Sequence, residues 1–228
     1  MRAIPHILTL GNLSLGAAAV WFVLYKGDPT TAVTLILIAA LLDFLDGFVA
    51  RLLGVAGELG KQLDSLADMV SFGVFPATLA FLLLPEGSQD TGFALILLLI
   101  PAMSALRLAL FNIKTGQSEG FIGVPTPMNT LFWVGAWFAF NQYPSVAAFF
   151  DSTHVLYYSM VVMSALLMVV NFPMPSLKIK ERNAQTITRL LLFLVPSAWF
   201  VVSMGIAGFF PVYFHYLLCA VLFKFALK

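Results

Sequence analysis

At 228 residues, 61% hydrophobic, 10% charged and with a net charge of +1, the chain is too apolar for an ordinary soluble domain. It carries no nucleic-acid signature either. Long apolar runs without a period of two exclude a transmembrane β-barrel, and bilayer backbone must satisfy its own hydrogen bonds, so helices are expected. The single Cys219 excludes an intramolecular disulfide and reads as a small apolar packing residue.

The start, Met1–Leu8, holds Arg2, Pro5 and His6 among apolar residues and is expected to lie along the membrane interface. No small-residue cleavage site follows it, so it is not read as a removable signal. Eight apolar spans are then expected over 9–25, 30–53, 61–84, 92–113, 126–142, 154–171, 188–206 and 211–226. Turn-forming compositions separate most of them, among them Lys26-Gly27-Asp28-Pro29, Gly54–Gly60 and Pro85-Glu86-Gly87. Between the last two spans lies only the apolar stretch Gly205–Pro211, which also fits one hairpin dipping into the membrane. With no internal repeat, the expected fold is all-α: a polytopic transmembrane bundle forming one domain over residues 1–228.

Basic residues give the orientation, because they stay on the cytoplasmic side. With eight spans, one face receives Arg2, Arg51, Lys61, Arg107, Lys114, Lys178, Lys180, Arg182, Arg189, Lys224 and Lys228. The other receives Lys26 with Asp28, Glu86, Asp90 and Asp151. Both termini and the loop between Arg51 and Lys61 are therefore expected in the cytoplasm.

Four aspartates lie near the cytoplasmic ends of spans two and three. Asp43, Asp46, Gly47 and Ala50 stand at i, i+3, i+4 and i+7, one helical face. Gly57, Gly60, Asp64 and Asp68 form a similar face on the next helix. A carboxylate at mid-membrane costs about 2.5–3.5 kcal/mol on insertion scales. Four together repel one another unless positive charge lies between them. Arg51 and Lys61 supply part of it; one or two hard cations, a role that suits Mg²⁺, would supply the rest through oxygen ligands while leaving room for phosphate oxygens. The small residues leave a gap where a phosphorylated ligand can approach the backbone. Capping or interhelical polar contacts are the plainer explanation of any single aspartate.

Asp43-x-x-Asp46-Gly47-x-x-Ala50-Arg51, eight residues, then Gly60-x-x-x-Asp64-x-x-x-Asp68 resembles the full signature of the CDP-alcohol phosphotransferase family. That resemblance implies a membrane-embedded, Mg²⁺- or Mn²⁺-dependent, homodimeric enzyme of the prokaryotic inner membrane. Such enzymes move a substituted phosphoryl group from a CDP-linked donor to an alcohol and release CMP. Asp64-Ser65-Leu66-Ala67-Asp68-Met69-Val70-Ser71-Phe72-Gly73, Leu106–Asn112, Gly123–Pro127 and Ile4–Leu13 are similar to members that use serine with CDP-diacylglycerol. The similarity spans roughly residues 4–130, and the chain departs from it at Leu110, where relatives commonly carry arginine, and at Gly57.

By resemblance, Asp43, Asp46, Asp64 and Asp68 are the metal ligands, Asp64 belongs to the catalytic pair, and Asp68 is the general base. Gly47, Ala50, Arg51, Gly57, Gly60, Thr9 and Asn12 would receive the CDP moiety. Arg107, Asn112 and Lys114 are candidates for the acceptor or a phosphate; for both cations, positive-inside anchoring is the alternative, and for Asn12 and Asn112 it is capping a helix. His6 is notable only beside Pro5–Thr9, and His154 and His215 have no partners at metal-ligand spacing. Lys178–Arg182 reads as a headgroup anchor.

Two other classes compete. An ion-coupled transporter also carries intramembrane acids, but spreads them through the midplane over several helices. A membrane scaffold leaves four acids without purpose. Within the enzyme class, glycerol 3-phosphate and inositol phosphate are alternative acceptors to serine.

Overall fold

The computed structural model describes residues 3–85, 88, 92–113, 121–174 and 184–225. Those residues are helical apart from loops and one small bridge, in which Phe121–Ile122 (β1) pairs antiparallel with Pro173–Met174 (β2). The chain is an integral membrane protein. Each of the eight apolar stretches expected from sequence lies on a helix.

The first, α1 (Ala3–Trp21), begins earlier than expected, so most of the anticipated interfacial piece forms its first turns. Pro5 is tolerated there because the first amides of a helix have no intrahelical partner. A π-helical turn, Phe22–Lys26, follows. Then comes α2 (Pro29–Leu52), with Pro29 at its start and Asp28 as its cap, accepting the Thr31 amide at 3.0 Å. The turn out of α2 passes through Gly54 at φ +62°, a left-handed conformation that suits glycine.

Next, α3 (Glu58–Asp68), a π-helical segment (Met69–Val74) and α4 (Phe75–Leu82) run on as one continuous stretch. Pro76 explains the wide turn: it has no N–H to offer the carbonyl four residues back, which belongs to Phe72. That carbonyl accepts Thr130 Oγ1–H at 3.2 Å instead. After α5 (Leu99–Ile113) come α6 (Thr126–Gln142), α7 (Pro144–Asp151), α8 (His154–Val169), α9 (Ala184–Met204) and α10 (Phe209–Phe225).

By length and hydropathy, five described stretches suffice to cross a bilayer: Ala3–Lys26, Pro29–Leu52, Glu58–Leu82, Ala94–Ile113 and Thr186–Lys224. The pair α7 and α8, bent by 97°, makes a sixth if taken together. The stretch Thr186–Lys224 is not straight. It turns at Gly205 (φ +60°), and His215 Nε2–H donates to Leu192 O at 3.0 Å while its ring stacks on Phe193. Those contacts fold α9 and α10 into a hairpin.

The core between α4, α6, α8 and α10 is built on fully buried Phe75, Phe132, Trp133, Tyr157 and Tyr213. At the other end, α2 and α3 both pack on α1 and barely touch each other. This leaves a gap between the two aspartate-bearing helices, with α1 as its back wall.

Candidate active site

Three carboxylates converge in that gap. One oxygen each from Asp43 of α2 and Asp64 and Asp68 of α3 lie within 4.8 Å of one another, all half-buried. Asp43 is within hydrogen-bonding range of both others. The i, i+4 spacing on α3 stacks its two acids on one face, and the gap lets Asp43 reach them from α2.

Asp46 lies outside this 4.8 Å cluster but close enough to repel all three carboxylates. It is 5% exposed, and its Oδ2 accepts the Thr9 hydroxyl from α1 at 2.5 Å. The hydroxyl also lies 3.0 Å from Pro5 O. Asn12, one turn further along α1, is fully buried, and Ser71 Oγ–H reaches its Oδ1 at 2.7 Å and its carbonyl at 3.1 Å. Thr9 and Asn12, expected at the CDP moiety, thus direct these atoms to protein partners. Between Asn12 and the next turn, Gly16 admits no side chain: a Cβ there would lie 2.9 Å from Ser71 Cα.

The small residues do line the open side. Gly47 lies under the Arg51 guanidinium, whose Nη1 would be 3.4 Å from a Cβ at that position, and Arg51 is electrostatically engaged with Asp46. Ala50 is half-buried on the same face. Gly57 begins α3 with extended backbone and almost nothing around it. Gly60 faces the His6 imidazole, 3.5 Å from its would-be Cβ, so His6 belongs to this wall.

On the acceptor side, Arg107 of α5 interacts electrostatically with Asp68 and with Tyr216 of α10. Its Nε is buried and meets no hydrogen-bond acceptor among the described residues. Asn112 is not turned to open space: its Nδ2–H donates to Ser65 Oγ at 2.8 Å, and its carbonyl accepts Lys61 Nζ at 2.5 Å. Lys114 lies outside the described residues. Sequence reasoning missed Ser65, Ser71 and Tyr216. The two serines sit within the recognised stretch after Asp64, which was the signal available for them. Tyr216 lies in the last third, where only hydropathy could be read.

The donor set suits a hard divalent cation: carboxylate oxygens only, with Asp68 Oδ1 buried and without a hydrogen-bond partner among the described residues. Three carboxylates at this spacing, beside Arg51 and Arg107, form a centre able to receive a diphosphate and its counterions.

Residues 2–207 match the CDP-alcohol phosphatidyltransferase family. The chain belongs to that family. It is 31% identical over 192 residues to a CDP-diacylglycerol–serine O-phosphatidyltransferase of Helicobacter pylori, covering 83% of this chain and 79% of the relative. It is 36% identical over 141 residues to the Bacillus subtilis protein of the same description, covering 62% and 78%. An archaetidylserine synthase of Methanothermobacter thermautotrophicus is 38% identical over 131 residues, covering 55% and 54%. Nothing in these matches supports a transporter.

Proposed function

We propose that the chain transfers the phosphatidyl group of CDP-diacylglycerol to L-serine, giving phosphatidylserine and CMP. The observation that carries this reading is the convergence of Asp43, Asp64 and Asp68 from two helices, in a chain whose relatives are described as serine phosphatidyltransferases. Asp43, Asp64 and Asp68, with Asp46 alongside, would hold Mg²⁺ or Mn²⁺, the four carboxylates providing ligands for two ions. When bound, such ions neutralise diphosphate charge and stabilise the charge that develops on the transferred group.

The remaining work falls to the chain itself. Phosphoryl transfer needs positioning and charge neutralisation more than covalent help. Gly47, Ala50, Gly57 and Gly60 floor the cytidine site, with His6 beside Gly60. Arg51 receives a diphosphate oxygen, for which its planar fork is well shaped. Arg107, already facing Asp68, takes the serine carboxylate, and Lys114 is a further candidate for the acceptor or a phosphate. Asp68 accepts the proton from the serine hydroxyl. The serine oxygen forms its bond to the β-phosphorus of the donor as the bond to the CMP oxygen breaks, and CMP leaves with the electron pair.

The same reading includes eight membrane crossings in a single domain, both termini and the site on the cytoplasmic side of a prokaryotic inner membrane, and a homodimer. The distribution of basic residues supports the orientation.

The test is CMP release by purified protein with CDP-diacylglycerol and Mn²⁺ or Mg²⁺, comparing L-serine, glycerol 3-phosphate and inositol phosphate. Serine-dependent release is expected. Release only with glycerol 3-phosphate or inositol phosphate would move the acceptor, and no metal-dependent release with any acceptor would sink the transferase reading.

A further inference from the structure

Lys61, Asp64, Ser65 and Asp68 stand at i, i+3, i+4 and i+7 and share one stripe of α3. Two of the four are trio carboxylates. The other two, Lys61 and Ser65, both bind Asn112. Lys61 Nζ–H donates to the Asn112 carbonyl at 2.5 Å, Asn112 Nδ2–H donates to Ser65 Oγ at 2.8 Å, and Ser65 Oγ–H donates to the Lys61 carbonyl at 3.2 Å. The three bonds close a ring. Asn112 is the penultimate residue of α5, so its carbonyl is among the last four that have no partner within the helix. An ammonium there both satisfies that carbonyl and complements the negative end of the helix. Five residues earlier on α5 is Arg107, which interacts with Asp68.

This ring matters because it adds a directional tie to α5, where α3 otherwise rests its roll on packing against α1. Helix α3 is 11 residues long, starts at Gly57 without a side-chain cap, and runs directly into the π-helical segment. Its aspartate-bearing neighbour α2 barely touches it. A carboxylate oxygen about 5–6 Å from a helix axis moves about 2 Å when the helix rolls by about 20°. Functional constellations tolerate displacements of about 0.5 Å. A contact that fixes the roll of α3 therefore decides whether its carboxylates meet Asp43.

We propose that Asn112 is a positioning residue: bound to Ser65 and Lys61, it locks α3 so that Asp64 and Asp68 converge with Asp43 and face Arg107. Asn112 acts through Ser65 and does not itself touch the acceptor. The inference rests on the reading of the aspartates as a metal site, and it concerns how that site is held.

The experiment is Mn²⁺ binding by the full chain in detergent, read from the electron paramagnetic resonance of free Mn²⁺ with no lipid substrate present. Ser65→Thr and Ser65→Val have nearly the same shape and differ in the hydroxyl. Ser65→Val is expected to raise the Mn²⁺ Kd about 10-fold, the lower end for partners that orient metal ligands. Ser65→Thr should stay near the wild-type value. Asn112→Leu should weaken Mn²⁺ binding as Ser65→Val does, and the double variant should be no worse than either. Melting of the metal-free protein identifies any variant that has lost its fold; the Thr and Val pair shares the added methyl group, so a packing defect would affect both. Equal Mn²⁺ affinity in Ser65→Thr and Ser65→Val overturns the proposal. So does Asn112→Leu that raises the KM for serine while its Mn²⁺ Kd is unchanged, the result expected of a direct acceptor contact. A wild-type chain that binds Mn²⁺ but transfers nothing to serine removes the acceptor reading and leaves the positioning role standing.

Discussion

The helices α1–α5 and the helices α6–α10 handle buried polar groups in different ways. In the first region, side chains bond across helices: Thr9 to Asp46, Ser71 to Asn12, and Lys61 and Ser65 to Asn112. In the second, the interior is aromatic. Phe132 lies 4.4 Å from Tyr213, 5.2 Å from Trp133 and 5.4 Å from Phe210 by ring centroids. Some polar atoms of this interior have no partner among the described residues, including both ends of Asn129, Trp133 Nε1 and Tyr213 OH, although Tyr157 OH donates to the Ala80 carbonyl. In the first region Asn12 Nδ2, Asp68 Oδ1 and Arg107 Nε are the ones without. Lipid tails are as apolar as leucine, so helices in a bilayer associate by packing and by interhelical hydrogen bonds. Packing suffices where the requirement is only to fill space. Directional bonds appear where particular atoms must meet, and here they surround the three carboxylates.

The largest effect that separates the regions concerns the carboxylates themselves. Asp64→Asn and Asp68→Asn should each lower CMP release by more than about 100-fold, exceeding the 10–100-fold typical when a partner of a metal ligand is removed. Asp46→Asn should fall within that smaller range, because Asp46 stands outside the trio and is held by Thr9. Initial rates at saturating metal would check this. A loss for Asp46→Asn as large as for Asp64→Asn would put Asp46 among the ligands that matter most.

A matched pair of glycines sharpens the comparison at an intermediate scale. A Cβ on Gly16 would come within 2.9 Å of Ser71 Cα, and one on Gly135 within 2.7 Å of the Phe209 carbonyl carbon. In both cases the obstacle is backbone, so the helices must part. Each alanine substitution should cost about 1–3 kcal/mol, as overpacking usually does. Thermal unfolding in detergent should show similar losses. Mn²⁺ binding should weaken only in Gly16→Ala, since Ser71 follows Asp68 by three residues on the displaced segment. Equal weakening in Gly135→Ala would show that the aromatic region also sets the site.

Much of this was legible in the residues themselves. The apolar stretches gave the helices, and the i, i+3 and i, i+4 spacings gave the two carboxylate faces. The π-helical segment was not anticipated, although Pro76 was its visible cause. Freeing the Phe72 carbonyl is a local event, but finding Thr130 for it depends on where α6 packs. The diversion of Asp46 to Thr9 was hidden for the same reason: spacing along α2 says nothing of what α1 presents to it. Asn112 leaves ligand contact and helix capping equally open in sequence, because its partners, Lys61 and Ser65, are about fifty residues earlier in the chain. Periodicity identifies a face; only tertiary packing identifies what the face meets.

The smallest effect comes from two buried asparagines, one in each region. Both are fully buried. Asn12 receives Ser71 Oγ–H at its Oδ1 and leaves its Nδ2 without a partner, whereas neither end of Asn129 has one among the described residues. Leucine is close to asparagine in size, so packing changes little in either replacement. In Asn12→Leu, Ser71 keeps the Asn12 carbonyl at 3.1 Å but loses the shorter bond, and because the unpartnered Nδ2 is removed as well, a net loss of no more than about 1 kcal/mol is expected. In Asn129→Leu, two unsatisfied groups are removed and an apolar side chain is placed among apolar neighbours. That change should be neutral or stabilising, because an unmade buried hydrogen bond costs more than an absent one. Melting temperatures of the two variants in one detergent would therefore move apart, Asn12→Leu downward and Asn129→Leu level or upward. A fall in Asn129→Leu as large as in Asn12→Leu would mean that water bonds Asn129 in the folded protein, and that the aromatic region is held by polar contacts after all.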